Sequence, residues 1–159
     1  MASLDTVRRS LFLHGPVGRG KTGLAVGYAW ECLRRTEIRS LKFVDVPDML
    51  AAFRDTYNHP SHADTPTEHD LIARYANAGL LVLDDLGAEQ VKNSGWVEDR
   101  LYQVIGRRHA NEMPTVITSN LSLQQLVDRV GERVVERIAE MVGPDGVINL
   151  DGLPNLREI

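Results

Sequence analysis

Apolar residues along the chain fall into short runs that alternate with longer, helically spaced stretches. SLFLH (Ser10–His14) is apolar and stops at a glycine, as a buried strand does. LKFVDV (Leu41–Val46), ended by Pro47, LLVLDD (Leu80–Asp85), PTVITSN (Pro114–Asn120) and GVINL (Gly146–Leu150) read the same way. Between them, Lys21 to Arg35 has helical spacing, with Ala25, Ala29 and Cys32 on one side near Leu24 and Tyr28. Pro47 and Asp48 open a second helix through MLAAFRDTY. Thr67 caps a third that runs to about Asn77, with Glu68 adding favourable charge near its start. A helix from about Gly95 to Asn111 follows, and two short helical patterns run up to Met141. Asn58–Pro66 is a polar loop with two prolines, and the chain has no internal repeat.

Strands that alternate with helices and lack hairpin turns predict a five-stranded parallel sheet covered on both faces, a three-layer α/β/α domain. Ligands of such sheets bind at the carboxyl ends of the strands. Three strand ends carry polar residues: His14, which runs into a glycine loop, Asp84 with Asp85, and Thr118, Ser119 and Asn120. They are expected to converge on one site.

The glycine loop gives that site its chemistry. Gly15, Pro16, Val17, Gly18, Arg19, Gly20, Lys21 and Thr22 satisfy G-x-x-x-x-G-K-S/T between a strand and a helix. Glycines let the backbone curl so that several N–H groups point at the β- and γ-phosphates of a nucleotide. The helix that follows adds its positive end. Lys21 supplies an ammonium for the phosphate oxygens and Thr22 a hydroxyl for Mg²⁺, so the reading is an ATP site in a P-loop NTPase.

An apolar strand that ends in acid matches the second phosphate-site motif. Asp84 is read as a Mg²⁺ ligand, directly or through water, and Asp85 as the general base that orients the attacking water. Aspartate is one methylene shorter than the glutamate common there, so slow hydrolysis is expected. Asn120 is placed to meet the γ-phosphate or the water, although Asn120 or Ser122 could equally cap the next helix. Arg129, Arg133 and Arg137 recur at four-residue spacing beside an apolar stripe of Val130, Val134 and Ile138. They read either as a solvated face paired with Glu132, Glu136 and Glu140, or as the source of an arginine that reaches a neighbouring subunit's γ-phosphate.

At 159 residues, 43% hydrophobic and 25% charged, the chain fits one domain with a real core. No apolar run approaches the roughly 20 residues that span a bilayer, and the run before Gly15 is too short for a signal peptide. A cytoplasmic protein without membrane partners is expected. The lone cysteine, Cys32, reads as a core residue. A net charge of −4 argues against tight, autonomous binding of nucleic acid. The uneven arginines (Arg8 with Arg9, Arg34 with Arg35, Arg107 with Arg108, and the series Arg129, Arg133 and Arg137) leave room for weak contact with nucleic acid through a local basic patch, above all in an oligomer.

The order GPVGRGKTGLA, LLVLDDLGAE, a helix with Trp96, GRRHANEMPTVITSN and GERVVERI resembles the ATPase domain of DnaC/DnaI-type helicase loaders, of the AAA+ superfamily. The resemblance runs from about Leu11 to Arg157, and IstB-type transposition helpers are close relatives within the same group. It implies ATP with Mg²⁺, assembly into a homo-oligomer, and a DnaB-type replicative helicase as partner. It also implies Arg137 as the arginine finger with Arg133 its companion, Asn120 as the sensor, and undefined roles for Arg108 and Arg157. The whole of 1–159 is expected to be one AAA+ core without a full C-terminal lid. The partner-binding region that loaders carry in front, and part of the adenine pocket, are expected to be absent. An IstB-like transposition helper, or an adaptor that binds ATP and hardly turns over, is the alternative. A small-molecule kinase fits less well, because the long loop Asn58–Pro66 has no arginine.

Overall fold

The computed structural model describes residues 9–35, 38–58, 65–88 and 94–157. Among them, β1 (Leu11–His14), β2 (Leu41–Asp45), β3 (Leu80–Asp84), β4 (Thr115–Ser119) and β5 (Val147–Asn149) form one sheet in the order β2-β3-β4-β1-β5. All pairs are parallel, as the alternation of strands and helices predicts. The helices are α1 (Lys21–Arg35), α2 (Val46–Asn58), α3 (Glu68–Ala76), α4 (Ser94–Ala110), α5 (Leu123–Val130) and α6 (Glu132–Val142).

Strand periodicity divides the core in two. Phe12, Leu81, Leu83 and Ile117 point to one face and pack against α2 to α6. Leu13, Leu80, Val82 and Val116 point to the other, where Ala25, Ala29 and Cys32 of α1 meet them. Both faces are covered, but unequally. Each fully buried leucine, isoleucine or phenylalanine in these layers contributes roughly 1.5–3 kcal/mol. Cys32 is wholly buried, in keeping with its reading as core.

Local chemistry sets the boundaries. Thr67 caps α3 in a reciprocal box with Asp70. Ser122, not Asn120, caps α5 through Gln125, which removes the helix-cap reading of Asn120. Gly131 (φ +91°) separates α5 from α6, and a Cβ there would fall 2.2 Å from Glu98 Cδ. β2 ends one residue earlier than its apolar run suggests. The Asp48 N–H donates to Asp45 Oδ1 (3.2 Å) just ahead of α2, and Val46 is buried as its first helical residue. Most of the polar loop Asn58–Pro66 lies outside the described residues.

The strand order has one decisive consequence. β4 lies between β3 and β1, so the loops after all three open side by side.

Candidate nucleotide site

β1 delivers the chain at His14 into the glycine loop, and Lys21 starts α1. Gly18 (φ +84°) and Gly20 (φ +76°) adopt conformations that favour glycine. A Cβ would also crowd neighbouring side chains, which would have to move: on Gly18 it would lie 2.0 Å from Asn155 Oδ1, and on Gly20 2.9 Å from Leu156 Cδ1. Lys21 is 6% exposed. Its Nζ donates to the carbonyls of Gly15 (2.7 Å) and Pro16 (2.8 Å), which hold the ammonium inside the curl of the loop. Burial lowers its pKa, opposed by the nearby Asp85 and Asp84 carboxylates.

Thr22 Oγ1 donates to both carboxylate oxygens of Asp84, at 3.1 and 3.0 Å. A hydroxyl and a carboxylate in contact at the mouth of the loop suit Mg²⁺. That ion takes few protein ligands and fills its octahedron with water and phosphate oxygens. Among the described residues no group of three or more His, Cys, Asp or Glu able to hold a metal occurs.

Thr118 locks the carboxylates in place. Its Oγ1 donates to Asp84 Oδ1 (2.6 Å) and accepts the Asp85 N–H (3.0 Å). The Leu86 N–H donates to the Thr118 carbonyl (2.9 Å), and Ser119 Oγ donates to the Leu86 carbonyl (2.6 Å). The turn after β3 is thus stitched to the end of β4, with Asp85 in a left-handed conformation (φ +57°). Burial raises the Asp85 pKa above the ordinary carboxylate value, with added repulsion from Asp84 and Asp45.

A cavity of about 250 Å³ is lined by Val17, Gly18, Gly20, Lys21, Thr22, Asp85, Asn120, Leu156 and Arg157. Residues from the first strand end, the second and the third meet there, as the sequence pattern anticipates. His14 is the exception: its ring stacks on Phe12 (5.5 Å between centroids), and it does not line the cavity. Arg157, whose role sequence reading leaves undefined, is brought in by the segment after β5. The Leu156 N–H donates to the Gly18 carbonyl (2.8 Å), which ties that segment to the loop. A larger cavity, about 680 Å³, opens around Ser10, Met113 and Pro144 at the opposite end of the sheet, away from this chemistry.

Two arginine groups take different places. Arg108 is completely buried and donates to the carbonyls of Tyr75, Ala76, Ala78 and Pro114 and to Thr115 Oγ1. It is a structural staple and offers nothing to a nucleic acid. Arg137 and Arg133 lie on α6, outside the lining of the cavity, where Arg137 pairs with Glu140 and Arg133 lies 3.7 Å from Asp99.

Fold and site together define a P-loop NTPase domain of the AAA+ type. Over residues 1–138 the chain matches the family model of IstB-like ATP binding protein, and it belongs to that family. The replicative helicase loader DnaC of Escherichia coli (strain K12) is 28% identical over 129 residues, 81% of this chain and 49% of the relative. The chain spans about half the length of the DnaC relatives it matches. Among solved structures, the DnaC helicase loader superposes with a TM-score of 0.70 at 29% identity, covering 89% of this chain and 77% of that one. DnaI gives 0.69 at 31%, covering 89% and 72%. AMPPCP-bound DnaA from Aquifex aeolicus gives 0.74 at 20% over 98% and 45%, a likeness of fold. Among the described residues no helix is long and apolar enough to cross a membrane.

Proposed function

We propose that this chain binds ATP with Mg²⁺ in the loop from Gly15 to Thr22 and hydrolyses it in a site completed by Arg137 of a second copy. Lys21 and the loop amides hold the phosphates, and Thr22 with Asp84 would hold the metal, which would supply positive charge against the phosphates. Asp85 accepts the proton of the attacking water, Asn120 positions that water or the γ-phosphate, and Arg157 adds positive charge at the cavity wall. The observation that carries this reading is the convergence of Lys21, Thr22, Asp85 and Asn120 on one cavity that Arg137 does not line. A finger that cannot serve its own site is free to serve a neighbour's.

On the footing of the loader relatives, the biological step is delivery of a DnaB-type ring helicase onto single-stranded DNA. Weak contact with that strand is assigned to the exposed Trp30 and Phe43, which have Arg34, Arg39 and Lys42 near them in sequence. The reading as an adaptor with little turnover draws support from Asp85, a carboxylate one methylene shorter than the glutamate common at that position. Turnover per subunit, followed over a wide range of protein concentration, separates the two. It is expected to rise with concentration and to fall by about 10³-fold or more in Arg137→Ala while ATP binding persists. A flat profile, or bound ATP with no turnover at any concentration, sinks the shared-site reading in favour of the adaptor.

A further inference from the structure

Leu83 of β3 is in register with Ile117 of β4, so the next residues along the two strands, Asp84 and Thr118, stand side by side where β3 ends. Thr118 is fully buried and does not line the nucleotide cavity, yet its hydroxyl touches both residues of the acidic pair. A hydroxyl has one proton to give. The Asp85 N–H donates to Thr118 Oγ1 at 3.0 Å, so the proton of that hydroxyl goes to Asp84 Oδ1, 2.6 Å away. Asp84 thereby accepts from two threonines, Thr118 behind it and Thr22 in front. Thr22 lines the cavity and Asp84 does not, so the order from the cavity inward is Thr22, Asp84, Thr118.

Asp85 is held in a different way. It lines the cavity and keeps a left-handed backbone (φ +57°), a conformation that persists only when its surroundings impose it. Those surroundings come from β4. Thr118 contributes twice: its hydroxyl accepts the Asp85 N–H, and its carbonyl accepts the Leu86 N–H (2.9 Å). Ser119 adds a third tie, from its Oγ to the Leu86 carbonyl (2.6 Å), which bypasses both aspartates.

We propose that Thr118 is a positioning residue for both arms of the site. Its one hydroxyl fixes Asp84 behind Thr22, where the metal would be held, and Asp85 at the cavity wall, where it would orient the attacking water. The inference rests on the reading of Asp84 and Asp85 as the metal and water residues. It gives a function to a side chain that meets neither ion nor nucleotide. Groups that orient metal ligands from behind typically change metal affinity or activity by about 10–100-fold when they are removed.

Thr118→Val replaces the hydroxyl by a methyl group, and Thr118→Ser keeps it. In Thr118→Val the Mg²⁺ concentration for half-maximal turnover should rise about tenfold, and turnover at saturating Mg²⁺ and ATP should fall about 10–100-fold. Equilibrium binding of a fluorescent ATP analogue gives a readout without turnover. Its affinity in EDTA should stay unchanged, while the gain on adding Mg²⁺ should shrink about tenfold. Thr118→Ser should recover most of each loss. Ser119→Ala, which cuts the third tie, should lower the melting temperature and leave the Mg²⁺ dependence alone. Should Thr118→Val not fold, Thr118→Cys, whose thiol is a weaker donor and acceptor, is read in its place. Equal shifts of Mg²⁺ dependence in Thr118→Val and Ser119→Ala, or no recovery in Thr118→Ser, would assign Thr118 to packing and overturn the inference. Asp84→Asn is measured alongside. If that variant keeps normal turnover and Mg²⁺ dependence, the metal reading fails and this inference with it. If Asp84→Asn loses both while Thr118→Val behaves as wild type, the metal reading stands and the positioning inference is overturned.

Discussion

Lys21→Ala is expected to weaken ATP binding by about 100-fold and to bring turnover to background. The ammonium is 6% exposed and held against the Gly15 and Pro16 carbonyls inside the loop. A hydrogen bond to a charged group contributes about 1.5–3 kcal/mol, and one such bond to a phosphate oxygen accounts for a loss of that order. The same substitution leaves two carbonyls without their partner, so part of its effect is a loosened loop. Lys21→Arg separates these contributions: it keeps the charge, but the planar fork does not fit a curl built around a point charge. Equilibrium titration with a fluorescent ATP analogue, with circular dichroism to confirm folding, reads both variants. Tight binding by Lys21→Ala would mean that the cavity beside the loop is not the nucleotide site.

Arg108→Ala is expected to be the most damaging change to stability, at about 4 kcal/mol or more. Its guanidinium is fully buried and has no carboxylate partner among the described residues; four backbone carbonyls and a threonine hydroxyl surround it. Tyr75 and Ala76 stand at the C-terminal end of α3, where carbonyls lack partners within the helix and the dipole favours a cation. Truncation leaves several buried acceptors unsatisfied, each costing about 1–3 kcal/mol, and adds a cavity. For a chain of this size the melting temperature should drop by roughly 8–16 °C. Arg108→Lys should recover only part of the loss, because one ammonium cannot reach Ala78 on one side and Pro114 on the other. Burial pulls the Arg108 pKa down to about 10, so the group stays charged near neutral pH. Folded and unfolded forms then bind the same proton there, and Arg108 contributes no pH dependence to stability in that range. Thermal melts across pH 6 to 8 should therefore show the same loss throughout.

Arg108 also shows where reading the sequence stops. It falls on the stripe Leu101, Val104, Ile105 and Arg108, whose spacing is that of a buried helix face, and the periodicity does carry that signal. Its charge and its neighbour Arg107 suggest surface instead. Only the tertiary placement of the α3 C-terminus beside it explains how a cation is satisfied there. The glycine loop was legible because its geometry is local: eight consecutive residues determine its curl. The parallel sheet was legible from alternation, and the start of α3 from Thr67. The strand order was not. Leu11 pairs in register with Val116, and nothing near Leu11 in sequence says so. Thr118 was expected at the site but not as the clamp on Asp84 and Asp85, since that role depends on β4 lying beside β3. The approach of Leu156 and Arg157 to the loop likewise depends on β5 joining β1.

The central claim is that ATP is held by one subunit and completed by another. Mixing two inactive variants tests it most directly. Lys21→Ala lacks the ammonium but keeps the finger, and Arg137→Ala keeps the phosphate loop but lacks the finger. Turnover of the equimolar mixture, at concentrations where the wild-type rate per subunit has reached its plateau, is predicted to rise well above the sum of the separate rates. A mixture that stays at that sum, with Arg137→Ala still binding ATP, would contradict a site shared between subunits.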